Sequence, residues 1–191
     1  LPKCSYSLVA RADSDDICAP DRFEKQVRYF EEHPEVGIIS SYIDEFNEDW
    51  KKPTHLKTLP LTHDELYEMA KFRNPLNHMS IMMRKDDVLR IGSYRHIPYI
   101  EDYELWVRAM INGIRIGNIG EVLVHARGNG MVQRRGTKKY IKSWHLMNKD
   151  MIKAGMIGYA TYARNMISII AFVFMPVRLK GFLYKKVLRK G

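Results

Sequence analysis

The residues of this chain best suited to chemistry are three carboxylates packed into four positions, Asp13-Ser14-Asp15-Asp16, straight after a short apolar run, Ser7-Leu8-Val9-Ala10. Carboxylates this close repel one another and raise each other's pKa unless a cation neutralises them. A hard divalent ion, Mg²⁺ or Mn²⁺, is the natural neutraliser, because it prefers oxygen ligands and shares them with substrate phosphates. The carboxyl end of a strand is also where open α/β sheets place their ligands. The alternative is a solvated turn whose aspartates cap the next helix.

A second acidic pair, Glu101-Asp102, stands immediately before Tyr103-Glu104-Leu105-Trp106. Helix capping accounts for one carboxylate at such a start. The other is a candidate general base for a hydroxyl. His78, after Asn74-Pro75-Leu76-Asn77, is either a structural histidine or part of that site. Arg127, with Gln133, Arg134 and Arg135 beyond a glycine-bearing loop, offers guanidinium forks for a diphosphate. Together these parts make one mechanism: a metal on Asp13, Asp15 and Asp16 holding a diphosphate, an arginine lid, and a base activating an acceptor hydroxyl.

The elements that position these groups follow from periodicity and breakers. A strand at about 6–12 leads into the aspartates. A helix opens at Pro20-Asp21 and runs to about Glu32, with Phe23, Val27, Phe30 and Tyr29 toward the core. His33-Pro34 ends it. Val36–Ser40 reads as a buried strand, 44–60 as a polar surface excursion, and Thr62 with Glu65 as a capping box for a helix to about Lys71. His78–Met83 reads as a strand, Asp86–Ile91 as a short helix closed by Gly92, and Tyr103–Ile111 as another helix. Two short strands are expected near Ile114–Ile119 and Val122–Ala126, then a loop at Gly128-Asn129-Gly130. A helix after Tyr140 carries Ile141, Trp144, Met147, Met151 and Ile152. The apolar run Met166–Met175, ended by Pro176, is too short to span a bilayer.

The 191 residues can bury one sizeable core. Two cysteines, Cys4 and Cys18, make neither a disulfide framework nor a zinc site, which points to a reducing compartment. The net charge of +9 is unevenly spread. From Arg134 onward there are fourteen Lys/Arg against one acid, whereas residues 1–133 carry seventeen bases and twenty-one acids. Beyond Pro176, apolar Val177, Phe182, Leu183, Val187 and Leu188 interleave with six basic residues, as in a helix lying in a membrane interface. A helix packed back on the domain with solvated lysines is the competing reading. Nucleic acid is not expected as a partner, because the folded part lacks a basic face.

Arg11-Ala12-Asp13-Ser14-Asp15-Asp16 followed by Pro20-Asp21-Arg22-Phe23-Glu24-Lys25-Gln26 resembles the Asp-x-Asp segment of family 2 glycosyltransferases with a GT-A fold. Asn74-Pro75-Leu76-Asn77-His78, Gly92-Ser93-Tyr94-Arg95 and Tyr99-Ile100-Glu101-Asp102-Tyr103-Glu104-Leu105-Trp106 fit the same family in order, over about 7–135. The likeness is to bacterial enzymes that build surface polysaccharides. It implies an α/β, Rossmann-like mixed sheet flanked by helices, to which the residues beyond Pro176 add a basic amphipathic helical tail. The expected division is a catalytic part over 1–135 and a membrane-interface tail over 136–191.

The resemblance also implies transfer of a sugar from a nucleotide-diphospho-sugar to a hydroxyl of a lipid-linked glycan, with inversion. Asp102 would be the base with Glu101 beside it. Asp13, Asp15 and Asp16 would serve the metal, and Arg11, Asp13, Arg127 and Arg134 would hold the donor. His78 and Trp106 would line the acceptor side. The expected location is peripheral, on the cytoplasmic face of the inner membrane. A first strand and a glycine- or tyrosine-bearing nucleotide loop, which family members carry earlier, have no counterpart here. The expected fold is therefore an incomplete GT-A core, open to self-association through exposed sheet. The alternative function is an inactive glycosyltransferase-like module at the membrane. Gln133-Arg134-Arg135-Gly136 does not match the Gln-x-x-Arg-Trp pattern of processive members.

Overall fold

The computed structural model describes residues 1–128 and 138–176. The chain runs β1 (Leu8–Ala10), β2 (Ile17–Cys18), α1 (Arg22–Glu32), β3 (Val36–Phe46), β4 (His55–Lys57) and α2 (His63–Met69). It continues with a 3-10 turn (His78–Ser80), β5 (Met82–Arg84), α3 (Lys85–Arg90), α4 (Glu101–Ile111), β6 (Arg115–Arg127), α5 (Lys138–Lys153) and α6 (Tyr159–Phe174). The strands form one mixed sheet in the order β1-β5-β3-β6-β2, with β4 also on β3. Among the described residues, only the β3–β6 pair is parallel.

β3 is the spine of the sheet. Its first half pairs with β5 at Ile38 and Ile39, and its second half with β4 from Ile43 to Glu45. Register shifts at Ser41–Ile43 bend it between the two. Ile38 enters the large core under α4, α5 and α6, whereas Ile39 enters a smaller cluster with Phe30 of α1, Val36 and Met82. With both faces covered, the strand reads as a continuous apolar run. The sheet and helices are the architecture expected for a Rossmann-like GT-A core.

Several expectations change. β3 extends to Phe46, so the excursion begins later than residue 44. β6 is one bent strand rather than two, because β3 runs beside it in parallel from Val36 to Phe46. His78–Ser80 is a 3-10 turn and only Met82–Arg84 is strand. On α1, Phe30 is buried, but Phe23 and Val27 are 49% and 37% exposed while Arg22 and Gln26 are fully buried. The helix turned its polar stripe inward because that stripe has partners. Arg22 donates to the carbonyls of Arg11 (2.7 Å) and Ile81 (3.4 Å), to Cys18 Sγ, and to Gln26 Oε1. Gln26 donates to the carbonyl of Ser80 at 2.7 Å. A buried guanidinium is tolerated when its donors are met in this way.

The boundary expected at 135 does not divide the core, since Tyr140, Trp144, Met147, Met151 and Val173 pack in the same cluster as Trp106 and Ile38. The basic tail from Val177 onward lies outside the described residues. Among the described residues, no helix is long and apolar enough to cross a membrane. Cys4 and Cys18 are both free thiols.

Candidate active site

Two backbone segments carry the site, and α1 ties them together. Through Arg22 and Gln26 it holds the carbonyls of Arg11, Ser80 and Ile81. The amide of Arg11 also donates to the carbonyl of Ile81 at 2.9 Å. The exit of β1 and the turn bearing His78 are therefore fixed side by side. Beneath that turn, Asn77 is 1% exposed and donates through Nδ2 to the carbonyl of Ser41 (2.8 Å). Its amide bonds Ser40 Oγ (3.2 Å), and Ser40 in turn bonds Asn118. Ser80 Oγ accepts the amide of Ser41 at 3.0 Å. This buried polar network anchors the turn on the spine strand and leaves His78 half-buried at its surface.

The third segment is the loop between α3 and α4. Gly92 (φ 89°) and Ser93 (φ 55°) both adopt left-handed backbone, which glycine tolerates and serine does only under constraint. The constraint is Arg108. Its Nη2 donates to the carbonyl of Ser93 at 2.6 Å and its Nη1 to the carbonyl of Ile91, while Nε and Nη2 grip the Glu104 carboxylate at 2.8 and 3.0 Å. Glu104 and Arg108 are 3% and 8% exposed. The loop so held brings the Tyr94 hydroxyl to 3.0 Å from His78 Nε2. The ring of Trp106, fully buried, supports both from below at 5.9 and 6.4 Å. Buried as it is, Trp106 acts on the surface only through His78 and Tyr94.

Glu101 and Asp102 occupy the first turn of α4, as half-buried carboxylates where the free amides favour them. Asn74 Nδ2 donates to Asp102 Oδ2 at 2.7 Å. Just upstream, Tyr99 has φ 73°, a strained conformation beside the acidic pair. Hydrogen bonds join these segments, Arg11 to Ile81 and Tyr94 to His78. Burial pushes the His78 pKa down, and the charges of Asp102, Arg11, Asp13 and Glu101 act on it as well. Burial pushes Tyr94 up to about 12, with Arg11, Asp102 and Asp13 again in reach. His78 and Tyr94 thus form a neutral pair between the two acidic segments.

The aspartate loop is folded by its own contacts. Asp13 pairs with Arg11 at 2.7 Å, and Asp16 Oδ1 accepts the amide of Arg127 at 2.9 Å. Asp15 is exposed. Among the described residues, no three His, Cys, Asp or Glu side chains converge as a metal-holding group. The expected three-ligand set is not assembled, because Asp13 is drawn to a guanidinium and Asp16 to a backbone amide. The donor chemistry still suits a hard divalent ion that takes one or two carboxylates and completes its shell with phosphate and water. Asp16 has a raised pKa, from burial first and then from the repulsion of Asp15 and Asp13, a strain that a cation would relieve. Arg127 stands differently from the expected fork. Its guanidinium donates to the carbonyl of Asn47 (3.0 Å) and lies over the Phe46 ring. Arg134 lies outside the described residues.

Tyr94, Asn74, Arg108 and Arg22 were not singled out from the sequence as site residues. Tyr94 carried a usable signal, since Gly92-Ser93 marks a turn just ahead of the acidic pair. Asn74 and Arg22 stand in motifs that carry the family resemblance, whereas nothing local marks Arg108.

The chain thus carries an acidic loop after the edge strand of a mixed α/β sheet and a second acidic pair at a helix start. Staphylococcus aureus TarS (residues 1–349) shares the fold, with a TM-score of 0.62, 14% identity, and 98% of this chain on 52% of that one. The mannosyltransferase PcManGT from Pyrobaculum calidifontis, solved with GDP-Man and Mn²⁺, gives a TM-score of 0.50 at 13% identity, with 100% of this chain on 52% of that one.

The description of Glycosyl transferase family 2 matches residues 1–92. The amylovoran biosynthesis glycosyltransferase AmsE of Erwinia amylovora is 40% identical over 192 residues, covering 100% of this chain and 71% of that protein. The UDP-Gal:alpha-D-GlcNAc-diphosphoundecaprenol beta-1,3-galactosyltransferase of Escherichia coli is 33% identical over 191 residues, covering 100% of this chain and 69% of that protein. The chain belongs to glycosyl transferase family 2. It spans about seven tenths of these curated relatives and about half of the solved chains.

Proposed function

We propose that this chain provides the base and acceptor side, with part of the donor side, of an inverting transferase. It would move a sugar from a nucleotide-diphospho-sugar to a hydroxyl of a lipid-linked glycan during surface polysaccharide synthesis. The observation that carries this reading is that the Arg11–Asp13 pair stands on a segment bonded to the end of the His78 turn, and that His78 in turn meets Tyr94. The name of the Escherichia coli galactosyltransferase favours a UDP-sugar donor and a diphospho-lipid acceptor. The protein would work as a peripheral enzyme at the cytoplasmic face of the inner membrane, with its basic C-terminal residues toward anionic lipid.

Asp102, oriented by Asn74, takes the proton of the acceptor hydroxyl. The freed oxygen attacks the anomeric carbon from the side opposite the diphosphate. The bond from that carbon to the diphosphate oxygen breaks, and the nucleoside diphosphate leaves with the electron pair. Arg11 lies where it can face the developing charge on the diphosphate. His78 and Tyr94, neutral and hydrogen-bonded to each other, are suited to orient the acceptor sugar without competing for its proton. Asp15 and Asp16 would hold Mn²⁺ or Mg²⁺, which supplies charge neutralisation of the leaving diphosphate.

The test is transfer of labelled galactose from UDP-galactose to a GlcNAc-diphospho-lipid analogue in the presence of Mn²⁺, with calorimetry of UDP binding alongside. Asp102→Asn should lower kcat by about 10²–10⁴-fold and leave UDP affinity unchanged. Transfer undiminished in Asp102→Asn would refute the assignment of the base. A folded wild-type protein that neither binds UDP or GDP nor transfers would instead support the inactive-module reading.

A further inference from the structure

We propose that the outward face of α6 is a membrane-docking surface that lies in the headgroup region of an anionic leaflet. The proposal rests on the reading above that the acceptor is lipid-linked.

The inner side of α6 is committed to the fold. Asn165, 5% exposed, donates to the carbonyl of Lys71 and to Asn148 Oδ1, both at 2.8 Å. Tyr162 meets His145 Nδ1 at 2.8 Å, and Val173 is in the core. Among the described residues, the outer side is largely left exposed. Tyr159, Ile167, Ile170 and Phe174 are 78%, 68%, 41% and 69% exposed. With the exposed Ala163, their spacing of four, four, three and four places them on one stripe. A stripe of large apolar side chains left in water marks an interaction surface.

What covers it is indicated by charge. α6 contains no acidic residue, and its one charged side chain, Arg164, lies over the half-exposed Phe72 ring at 3.7 Å. The fifteen residues that follow Pro176 contain six Lys/Arg and no acid. An apolar stripe continuous in sequence with a run whose charged residues are all basic matches an anionic bilayer surface, which takes apolar side chains at headgroup depth and attracts cations around them. A protein partner would have to be both apolar and strongly acidic. At sixteen residues, the helix is about 24 Å long, short of a hydrocarbon core of about 30 Å, so it lies along the surface.

The placement suits the chemistry. Asn165 holds the carbonyl of Lys71, three residues before the Asn74 that orients Asp102. The helix is thereby joined to the segment that orients the base.

The experiment is co-sedimentation of the full chain with phosphatidylglycerol–phosphatidylcholine vesicles and with pure phosphatidylcholine vesicles. The comparison is with Ile167→Glu/Phe174→Glu. A Phe174→Trp variant, which keeps the stripe apolar, reports depth through quenching by brominated phosphatidylglycerol. We expect binding to the anionic vesicles only, at least about tenfold weaker in the double variant, and quenching of the new tryptophan beyond the wild-type background. Equal binding by the double variant with no added quenching would overturn the proposal, leaving the basic residues as the sole contact. So would concentration-dependent dimerisation in ultracentrifugation that the double variant abolishes. Transfer to a short-chain, water-soluble acceptor tests the reading beneath it separately, since that activity does not need the stripe. Melting curves matched between variants establish that the double variant folds.

Discussion

Replacing Arg108 with Met strips a buried carboxylate of its partner and releases a loop at the same stroke. Arg108 fits Glu104 with two bonds of 2.8 and 3.0 Å inside the core, and its other donors hold the carbonyls of Ile91 and Ser93. Breaking a buried pair by removing one member costs about 3–5 kcal/mol, because the remaining charge stays desolvated. Arg95, 3.5 Å from Glu104 but half-exposed, offsets only part of this. For a chain of this size the loss corresponds to a fall in Tm of roughly 6–20 °C. The double variant Glu104→Leu/Arg108→Met removes both charges and should regain most of that stability, since apolar replacement of a whole buried pair is often neutral. It should not regain the site, because Ser93 and Tyr94 have still lost their anchor. The assays are calorimetric melting of the four members of the cycle and NMR observation of the His78 ring. A single variant within about 1 kcal/mol of wild type, or a double variant as unstable as the single, would refute the reasoning.

The aspartate loop and the histidine yield two pH-dependent predictions. Asp16 has its pKa raised in the fold, chiefly by burial, so its contribution to stability is lost as pH rises through the folded value and ionised Asp16 weighs on the fold at neutral pH. Asp16→Asn keeps an acceptor for the amide of Arg127 and should raise stability at pH 7 slightly, by less than about 1 kcal/mol because the group is partly solvated, while weakening stabilisation by Mn²⁺. Scanning calorimetry with and without the ion checks both, and a lower Tm without metal would contradict the burial argument. His78 has its pKa lowered from 6.5, first by burial. Below 6.5 the unfolded chain takes up the proton more readily, so stability is full above that pH and falls as pH drops through the folded value. His78→Gln should flatten this loss in urea midpoints measured between pH 5 and 7. His63, lowered in the same direction by burial, keeps the remaining slope. An unchanged slope in His78→Gln would mean that its imidazole is not desolvated.

The difference between α1 as expected and as folded shows where sequence reasoning stops. Phe23, Val27 and Phe30 have helical spacing, and so do Arg22, Gln26 and Phe30. Hydrophobicity favours the first set, but the second has carbonyls of two other segments waiting for it. Arg127 gives the same lesson, because its guanidinium was free to meet a diphosphate until Asn47 and Phe46 stood beside it. Tyr94 is the converse, an ordinary loop residue until Arg108 on another helix fixed the turn that carries it to His78.

Local chemistry was legible without a structure. The aspartate cluster, the acidic pair opening α4, the Thr62–Glu65 contact, the stop at His33-Pro34 and the left-handed Gly92 all depend on neighbours a few residues away. So did the α/β class, which periodicity and breakers announce. The tertiary structure decided which helix face is buried, that β6 is one strand, and that four segments meet around His78. Those outcomes depend on hydrogen-bond partners and charges from distant parts of the chain, and buried polar groups go where such partners are, whatever their local pattern suggests.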